Sequence, residues 1–360
     1  MSQPMNTEMS TPNVEGFVNG PQVWRGEDMR ARESEWTYVL NQEEIREIER
    51  AIEAAIASGG DIVDMTAVDF QLPTFAPALA RLRTEILRGR GFVRIRGLPV
   101  NAYTRRESAI AFWGLGAHLG LAVSQNAKGH VLGHVKDLGL NYEDSNTRGY
   151  QTAARLPYHT DYADIVGLLC LNTAQSGGMS SVVSSVTLYN EMLKRRPDLV
   201  GVLARPFCRT RWGETDPNLP PWIEVPVFNR SPEGVVTTYV RSAVRKAQRV
   251  PAVPRLTDDQ TQAMDMLDSL AADPELHLDM QFEVGDIQLL NNHWLMHSRT
   301  AYQDWPEPEK KRHLLRLWLA CEDGPFFPPA MTESFQGLTV NGRPNGIHLT
   351  GVPFCAPLEA

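Results

Sequence analysis

The stretch Leu156-Pro157-Tyr158-His159-Thr160-Asp161 decides how the rest of the chain is read. On an extended strand residues i and i+2 point to the same face, so His159 and Asp161 can reach one ion while Thr160 turns away. With 9 His and 43 acidic residues in 360 positions, chance alone supplies about one His-x-acid tripeptide. The chain has two. His277-Leu278-Asp279 has only His293, His297, His313 and His348 after it, and little chain remains there to build a scaffold around a metal. His159-Thr160-Asp161 has that room. Its third ligand is at hand in His297, which follows a turn at Gly285-Asp286 and the apolar run Ile287-Gln288-Leu289-Leu290. Two imidazoles and one carboxylate on a sheet form the facial set that holds Fe(II) while leaving the opposite coordination face open.

The segment Lys311-Arg312-His313-Leu314-Leu315-Arg316-Leu317-Trp318-Leu319-Ala320 alternates like a strand, with Arg312, Leu314, Arg316 and Trp318 on one face and His313, Leu315, Leu317 and Leu319 on the other. Two guanidiniums in an apolar strand need a reason. At about 3.3 Å per residue their Cα atoms lie roughly 13 Å apart, far enough to serve two different anions at opposite ends of one cavity. 2-Oxoglutarate would chelate a metal through its keto acid and leave a distal carboxylate that suits a rigid, bidentate donor. The plainer reading, two exposed arginines paired with Glu307 or Glu309, fits less well with their position after His297.

In ordered combination these residues resemble the taurine/chlorophenoxyacetate dioxygenases, which include clavaminate synthase. The resemblance runs from about Gly91 to Ala320. It takes in Gly91-Phe92-Val93-Arg94-Ile95-Arg96-Gly97-Leu98-Pro99, the metal motif, Asp164-Ile165-Val166-Gly167-Leu168-Leu169-Cys170-Leu171, Gly177-Gly178-Met179-Ser180 and the final Arg-x-x-x-Arg. It implies a mixed α/β, mainly β protein with a double-stranded β-helix (jelly-roll, cupin-like) core and flanking helices. It further implies Fe(II) on His159, Asp161 and His297, with 2-oxoglutarate and O2 as cosubstrates. Arg312 matches the arginine that takes the distal carboxylate of 2-oxoglutarate, and Arg316 one that contacts substrate or shares that anion. Ser180 falls where relatives place a threonine on 2-oxoglutarate, and Thr187 competes for that role. The implied reaction couples hydroxylation, desaturation or cyclisation of a small organic acid to release of succinate and CO2. Related halogenases lack the carboxylate, so Asp161 argues against halogenation. Two rivals stay open: a zinc-dependent hydrolase on the same ligands, and a non-catalytic acid-binding β-barrel.

Composition agrees with an enzyme that buries a substantial core, at 42% hydrophobic and 22% charged residues. A net charge of −8 without a basic run argues against a nucleic-acid partner. No apolar stretch approaches the length of a membrane span and the N-terminus lacks a leader, so a cytoplasmic location is expected. Cys170, Cys208, Cys321 and Cys355 have no metal-type or paired spacing and are expected to be reduced. Self-association is left open.

Residues 1–36 are polar and without periodicity, and read as a flexible tail; 37–360 then form a single domain, with helices in 41–90 and a β-helix core at about 91–325. Asn41-Gln42-Glu43-Glu44 reads as a capped helix start, and Ile45, Ile48, Ile52 and Ile56 follow helical spacing to Gly59. Further helices are expected over 75–87, 109–119 and 188–196, and after Thr257 with Met264, Leu267 and Leu270 inward. Two irregular segments, 120–158 and 205–226, are expected to shape the substrate site. The second carries Arg209, Arg211 and Trp212 as candidate substrate contacts, although Glu214 and Asp216 could equally pair with those charges in solvent. Asn291 and Asn292 read as backbone partners near a turn.

Overall fold

A computed structural model describes residues 16–144, 147–216 and 218–360. Among the described residues nineteen strands stand against ten α-helices, so strands build the scaffold and helices cover it. Eight strands position the site: β1 (Phe92–Arg96), β2 (Leu156–His159), β3 (Ile165–Asn172), β4 (Ser180–Ser184), β5 (His277–Met280), β6 (Ile287–Asn291), β7 (Leu295–Arg299) and β8 (His313–Ala320).

β1, β6, β3 and β8 lie side by side in that order, antiparallel throughout, at the heart of a larger sheet. Thr37–Val39 runs parallel to β1 at one edge, and Leu132–Val135 and Leu121–Ala122 pair with β8 at the other. β5, β4, β7 and β2 form the smaller antiparallel sheet. Period-2 alternation gives each long strand two different jobs. Val166, Leu168 and Cys170 of β3, Leu314 and Trp318 of β8 and Leu290 of β6 meet Val182, Leu278, Met280 and Leu295 from the smaller sheet in one apolar layer. The alternate residues Leu169, Leu315, Leu317, Leu319, Ile287 and Leu289 turn outward and are covered by helices Gln42–Ser58, Ala76–Arg88 and Arg105–Ala117. Each fully buried aliphatic side chain contributes about 1.5–3 kcal/mol, so both layers are strongly held. Helices Ser185–Arg195 and Asp258–Ala271 cover the outer side of the smaller sheet through Val183 and Met296.

The helix Gln42–Ser58 follows its expected bounds: Asn41 caps it in a reciprocal capping box with Glu44, and Gly59 ends it in the left-handed region at φ 70°. The helix expected over 109–119 begins earlier, at Arg105, because Thr104 and Glu107 form a second capping box. For residues 16–36 the flexible tail is overturned; residues 1–15 of that expectation lie outside the described residues. Trp24, Met29 and Trp36 are buried in the layer between the sheets, and the two indoles sit 5.3 and 5.7 Å from the Phe92 ring. Their indole N–H groups donate to the carbonyls of Arg90 (2.8 Å) and Met29 (2.9 Å). Three large anchors hold this segment, and a polar average hides them.

Candidate metal centre

His297 of β7 and His159 of β2 are direct cross-strand partners, with ring centroids 4.2 Å apart. Asp161 lies just past the end of β2, where its backbone is gripped by one side chain. Asn292 Oδ1 accepts from Asp161 N (2.7 Å), and Asn292 Nδ2 donates to the carbonyls of Asp161 (2.8 Å) and Ala163 (2.9 Å). Asn292 sits in the tight turn that carries the chain from β6 in one sheet to β7 in the other, so the same turn that delivers His297 fixes Asp161. Thr160 faces away, exchanging backbone and hydroxyl bonds with Tyr239.

His159 Nε2 is 3.9 Å from Asp161 Oδ1, and His297 Nε2 is 3.7 Å from Asp161 Oδ2. One ligand atom from each of the three lies within 4.8 Å of the others, and this is the one His/Cys/Asp/Glu group of its kind among the described residues. His277-Leu278-Asp279 gathers no third ligand; its Asp279 takes the Ser181 hydroxyl instead.

Protonation suits a cation. The His159 Nδ1–H donates to the Pro157 carbonyl (2.9 Å), which leaves the Nε2 lone pair toward Asp161. Burial pushes both imidazoles down, His297 to about 3, so both are neutral ligands at ordinary pH. Burial works against the charge of Asp161. Arg316 first, with the Trp318 N–H (2.8 Å), outweighs it and holds the carboxyl below its ordinary range. Neutral imidazoles and an ionised carboxylate are the forms a divalent metal requires.

A cavity opens on His159 and Asp161 and is walled by Tyr142, Arg148, Tyr150, Trp212, Arg241 and Arg316. Arg316 is buried on β8: its Nε donates to Gln125 (2.7 Å), its Nη1 lies 3.4 Å from Asp161, and Tyr150 and Trp318 stack on it at 4.6 and 4.8 Å. Arg148 reaches the same wall and pairs with Glu214, joining the two irregular segments.

Arg312 lies one residue before the other end of the strand. Its Nη2 donates to the Gly178 carbonyl (3.3 Å), and its Nη1 is buried with no partner. A Cβ at Gly178, where φ is 69°, would lie 2.9 Å from Arg312 Nε, so glycine makes room for the guanidinium. Arg299 joins it: the two guanidinium carbons lie 4.7 and 5.2 Å from the Tyr302 ring. Arg299 Nε and Nη1 and the Tyr302 hydroxyl are also buried without partners. Burial first, and then Arg312, push Arg299 down to about 10. Buried donors without a carboxylate are built to receive one.

The other expected residues divide. Ser180 is buried, is the register partner of Arg299 and donates to Gln288 (2.9 Å). Thr187 is not brought to this group: it opens helix Ser185–Arg195, and its hydroxyl is spent on the backbone of Trp24, donating at 2.8 Å and accepting at 3.1 Å. Trp212 lines the cavity, but Arg209 and Arg211 do not. Arg211 donates to Gln336 (2.9 Å) and the Trp222 carbonyl. Sequence reasoning passed over Arg148, Tyr142 and Tyr150, which sit in a segment without periodicity. It also passed over Arg299, although the i+2 rule that joins His159 to Asp161 places Arg299 on the face of His297.

A family model described as "Taurine catabolism dioxygenase TauD, TfdA family" matches residues 56–318. FR-33289 synthase of Streptomyces rubellomurinus is 32% identical over 336 residues, covering 91% of this chain and 97% of that protein. Taurine hydroxylase-like protein SAT17 of Stachybotrys chartarum is 29% identical over 315 residues, covering 84% and 79%. Among solved structures, asparagine oxygenase with Fe(II), 2S,3S-3-hydroxyasparagine and succinate superposes with a TM-score of 0.61 at 16% identity, over 79% of this chain and 93% of that one. The non-heme iron oxygenase OrfP with Fe and alpha-ketoglutaric acid gives 0.60 at 16% identity, over 79% and 94%. At that identity the likeness speaks to the fold.

Proposed function

Because the chain belongs to the TauD/TfdA dioxygenase family, we propose that His159, Asp161 and His297 hold Fe(II) and that Arg312 takes the distal carboxylate of 2-oxoglutarate. The protein is an Fe(II)- and 2-oxoglutarate-dependent oxygenase. The single observation that carries the residue assignment is the coexistence of a neutral-neutral-anionic ligand set with a buried guanidinium whose Nη1 has no partner. A zinc hydrolase would use the first and leave the second idle. When bound, iron with O2 and 2-oxoglutarate supplies the oxidising power for an unactivated C–H bond, with succinate and CO2 released.

The chain's own residues supply position and exclusion. Trp318 and Asn292 fix Asp161, Pro157 fixes the His159 tautomer, and Ser180 with Arg299 and Tyr302 completes the polar lining around Arg312. Arg316 presents a buried guanidinium to the metal-side cavity, so the substrate is a small organic acid, set by its anion against Arg316 and oxidised by hydroxylation, desaturation or cyclisation. The two facing sheets read as the halves of a double-stranded β-helix in one domain. Among the described residues no helix is long and apolar enough to cross a membrane. A net charge of −8 without a basic run supports a reading without nucleic-acid partners.

Adding Fe(II) and 2-oxoglutarate without oxygen tests the assignment. A visible charge-transfer band is expected for the wild type and is lost in His159→Ala, Asp161→Ala and His297→Ala, which keep the fold. No band in folded, metal-loaded wild-type protein would sink the reading.

A further inference from the structure

Strand Pro206–Thr210 alternates, and its two inward positions are Phe207 and Arg209. An arginine in an apolar slot is the anomaly. Arg209 is 2% exposed, and its Nε, Nη1 and Nη2 are all buried without a hydrogen-bond partner. Two rings face its guanidinium, Tyr162 at 5.9 Å and Phe335 at 6.0 Å. Cation–π attraction offsets part of the desolvation of a guanidinium, but it satisfies none of five N–H donors.

The surroundings show where a partner would sit. Beside the metal-side cavity lies a second, smaller chamber walled by Tyr162, Arg211, Trp212, Ile223, Phe335 and Gln336, with Arg209 just behind that wall. Tyr162 and Phe335 are the rings that cage Arg209, and Ile223 is its cross-strand partner. Tyr162 and Trp212 also wall the first cavity, and Tyr162 follows Asp161 in the chain. The chamber therefore stands one layer of side chains from the metal centre. It adds Arg211 as a second cation, while its one acid, Glu214, is taken by Arg148.

We propose that Arg209 and Arg211 form a second oxyanion subsite, so that the substrate carries two oxyanionic groups, one set against Arg316 and one held behind Tyr162. This rests on the oxygenase reading above and narrows its substrate to small molecules with two carboxylate or phosphoryl-type ends. A guanidinium fork as deeply buried as that of Arg209 prefers such a bidentate acceptor to any neutral group.

Calorimetric titration of the Fe(II)-loaded protein under anaerobic conditions tests this. With 2-oxoglutarate saturating, Arg312 is occupied, and sulfate and acetate serve as separate probes. Two anions per chain are expected for the wild type. Arg209→Met is expected to retain one, with the second weakened at least tenfold, and Arg316→Met is expected to retain the Arg209-dependent one. Sulfate alone, acetate alone or both at that site would each support it and would fix which oxyanion it prefers. One anion or none in the wild type, or two in folded Arg209→Met, overturns the proposal. Should Arg209→Met not fold, Arg316→Met decides alone: no remaining anion overturns it. The charge-transfer band of the same samples separates the two ideas. A band without a second anion removes the subsite only, whereas no band in the wild type removes the oxygenase assignment.

Discussion

Trp318 holds one member of the proposed metal centre from behind. It is fully buried on the inner face of β8, and its one polar atom donates to Asp161 Oδ2 at 2.8 Å. Trp318→Phe keeps the packing and deletes the donor. Loss of such an orienting hydrogen bond weakens metal binding about 10–100-fold, to be measured as Fe(II) affinity; an unchanged affinity would make Trp318 packing alone. Arg312→Leu should raise the 2-oxoglutarate requirement steeply, because removing one side of a buried charge pair costs about 2–5 kcal/mol, about thirtyfold or more in affinity. Arg316→Leu should leave that requirement nearly unchanged, and the reverse pattern would exchange the two roles. The gathering of His159, Asp161 and His297, and the burial of Arg312 and Arg316, were legible because one-ion chemistry and strand alternation constrain spacing. Arg148 was not, since no rule of spacing governs an irregular segment, and Thr187 misled because a hydroxyl's partner is a tertiary fact.

At the scale of elements, the centre depends on a hairpin that lies outside the expected core of 91–325. Strands Leu338–Val340 and Arg343–Asn345 pair antiparallel, and Arg343 reaches in to clasp Asp164, with Nη2 to Oδ2 at 2.9 Å. Asp164 also takes His293 Nε2 (2.9 Å) and the Cys321 backbone N–H (2.7 Å), and it is fully buried three residues beyond Asp161. Burial raises its carboxyl, but His293 and Arg343 outweigh that and hold it below its ordinary value. A depressed carboxyl contributes stability that is full above its unfolded pKa of about 3.9 and is lost as pH falls through the folded one. Arg343→Met strands the charge, so a loss of about 3–5 kcal/mol is expected at neutral pH. Burial then dominates and the carboxyl takes up its proton at higher pH. The acid-unfolding midpoint, followed by circular dichroism, should therefore move upward; an unmoved midpoint would show that Arg343 does not set Asp164. Helix starts were readable from Asn41 and Thr257 because capping is local chemistry. The hairpin was not, because its anchor is one arginine in a polar stretch.

The whole molecule closes its apolar layer with a segment that composition assigns to solvent. Between residues 16 and 36 the charges and small polar residues outnumber the apolar ones, yet Trp24 and Trp36 are 5% and 4% exposed and pack on Phe92 at the start of β1. Arg94 on the same strand lies 4.8 Å from the Trp36 ring and bonds Thr37 at 2.9 Å, tying the segment to the larger sheet. Averages over a window dilute two indoles, whereas folding energy counts the area that each buries. Trp36→Ala should then cost about 3–5 kcal/mol, as large-to-small changes in a core do. Removing residues 1–36 should cost more, because it uncovers Phe92, Leu278 and Met280 of the shared layer as well. Urea unfolding measures both: a midpoint unchanged by the truncation would restore the flexible tail, while a lowered midpoint with a bound dye reporting exposed apolar surface would establish the segment as part of the fold.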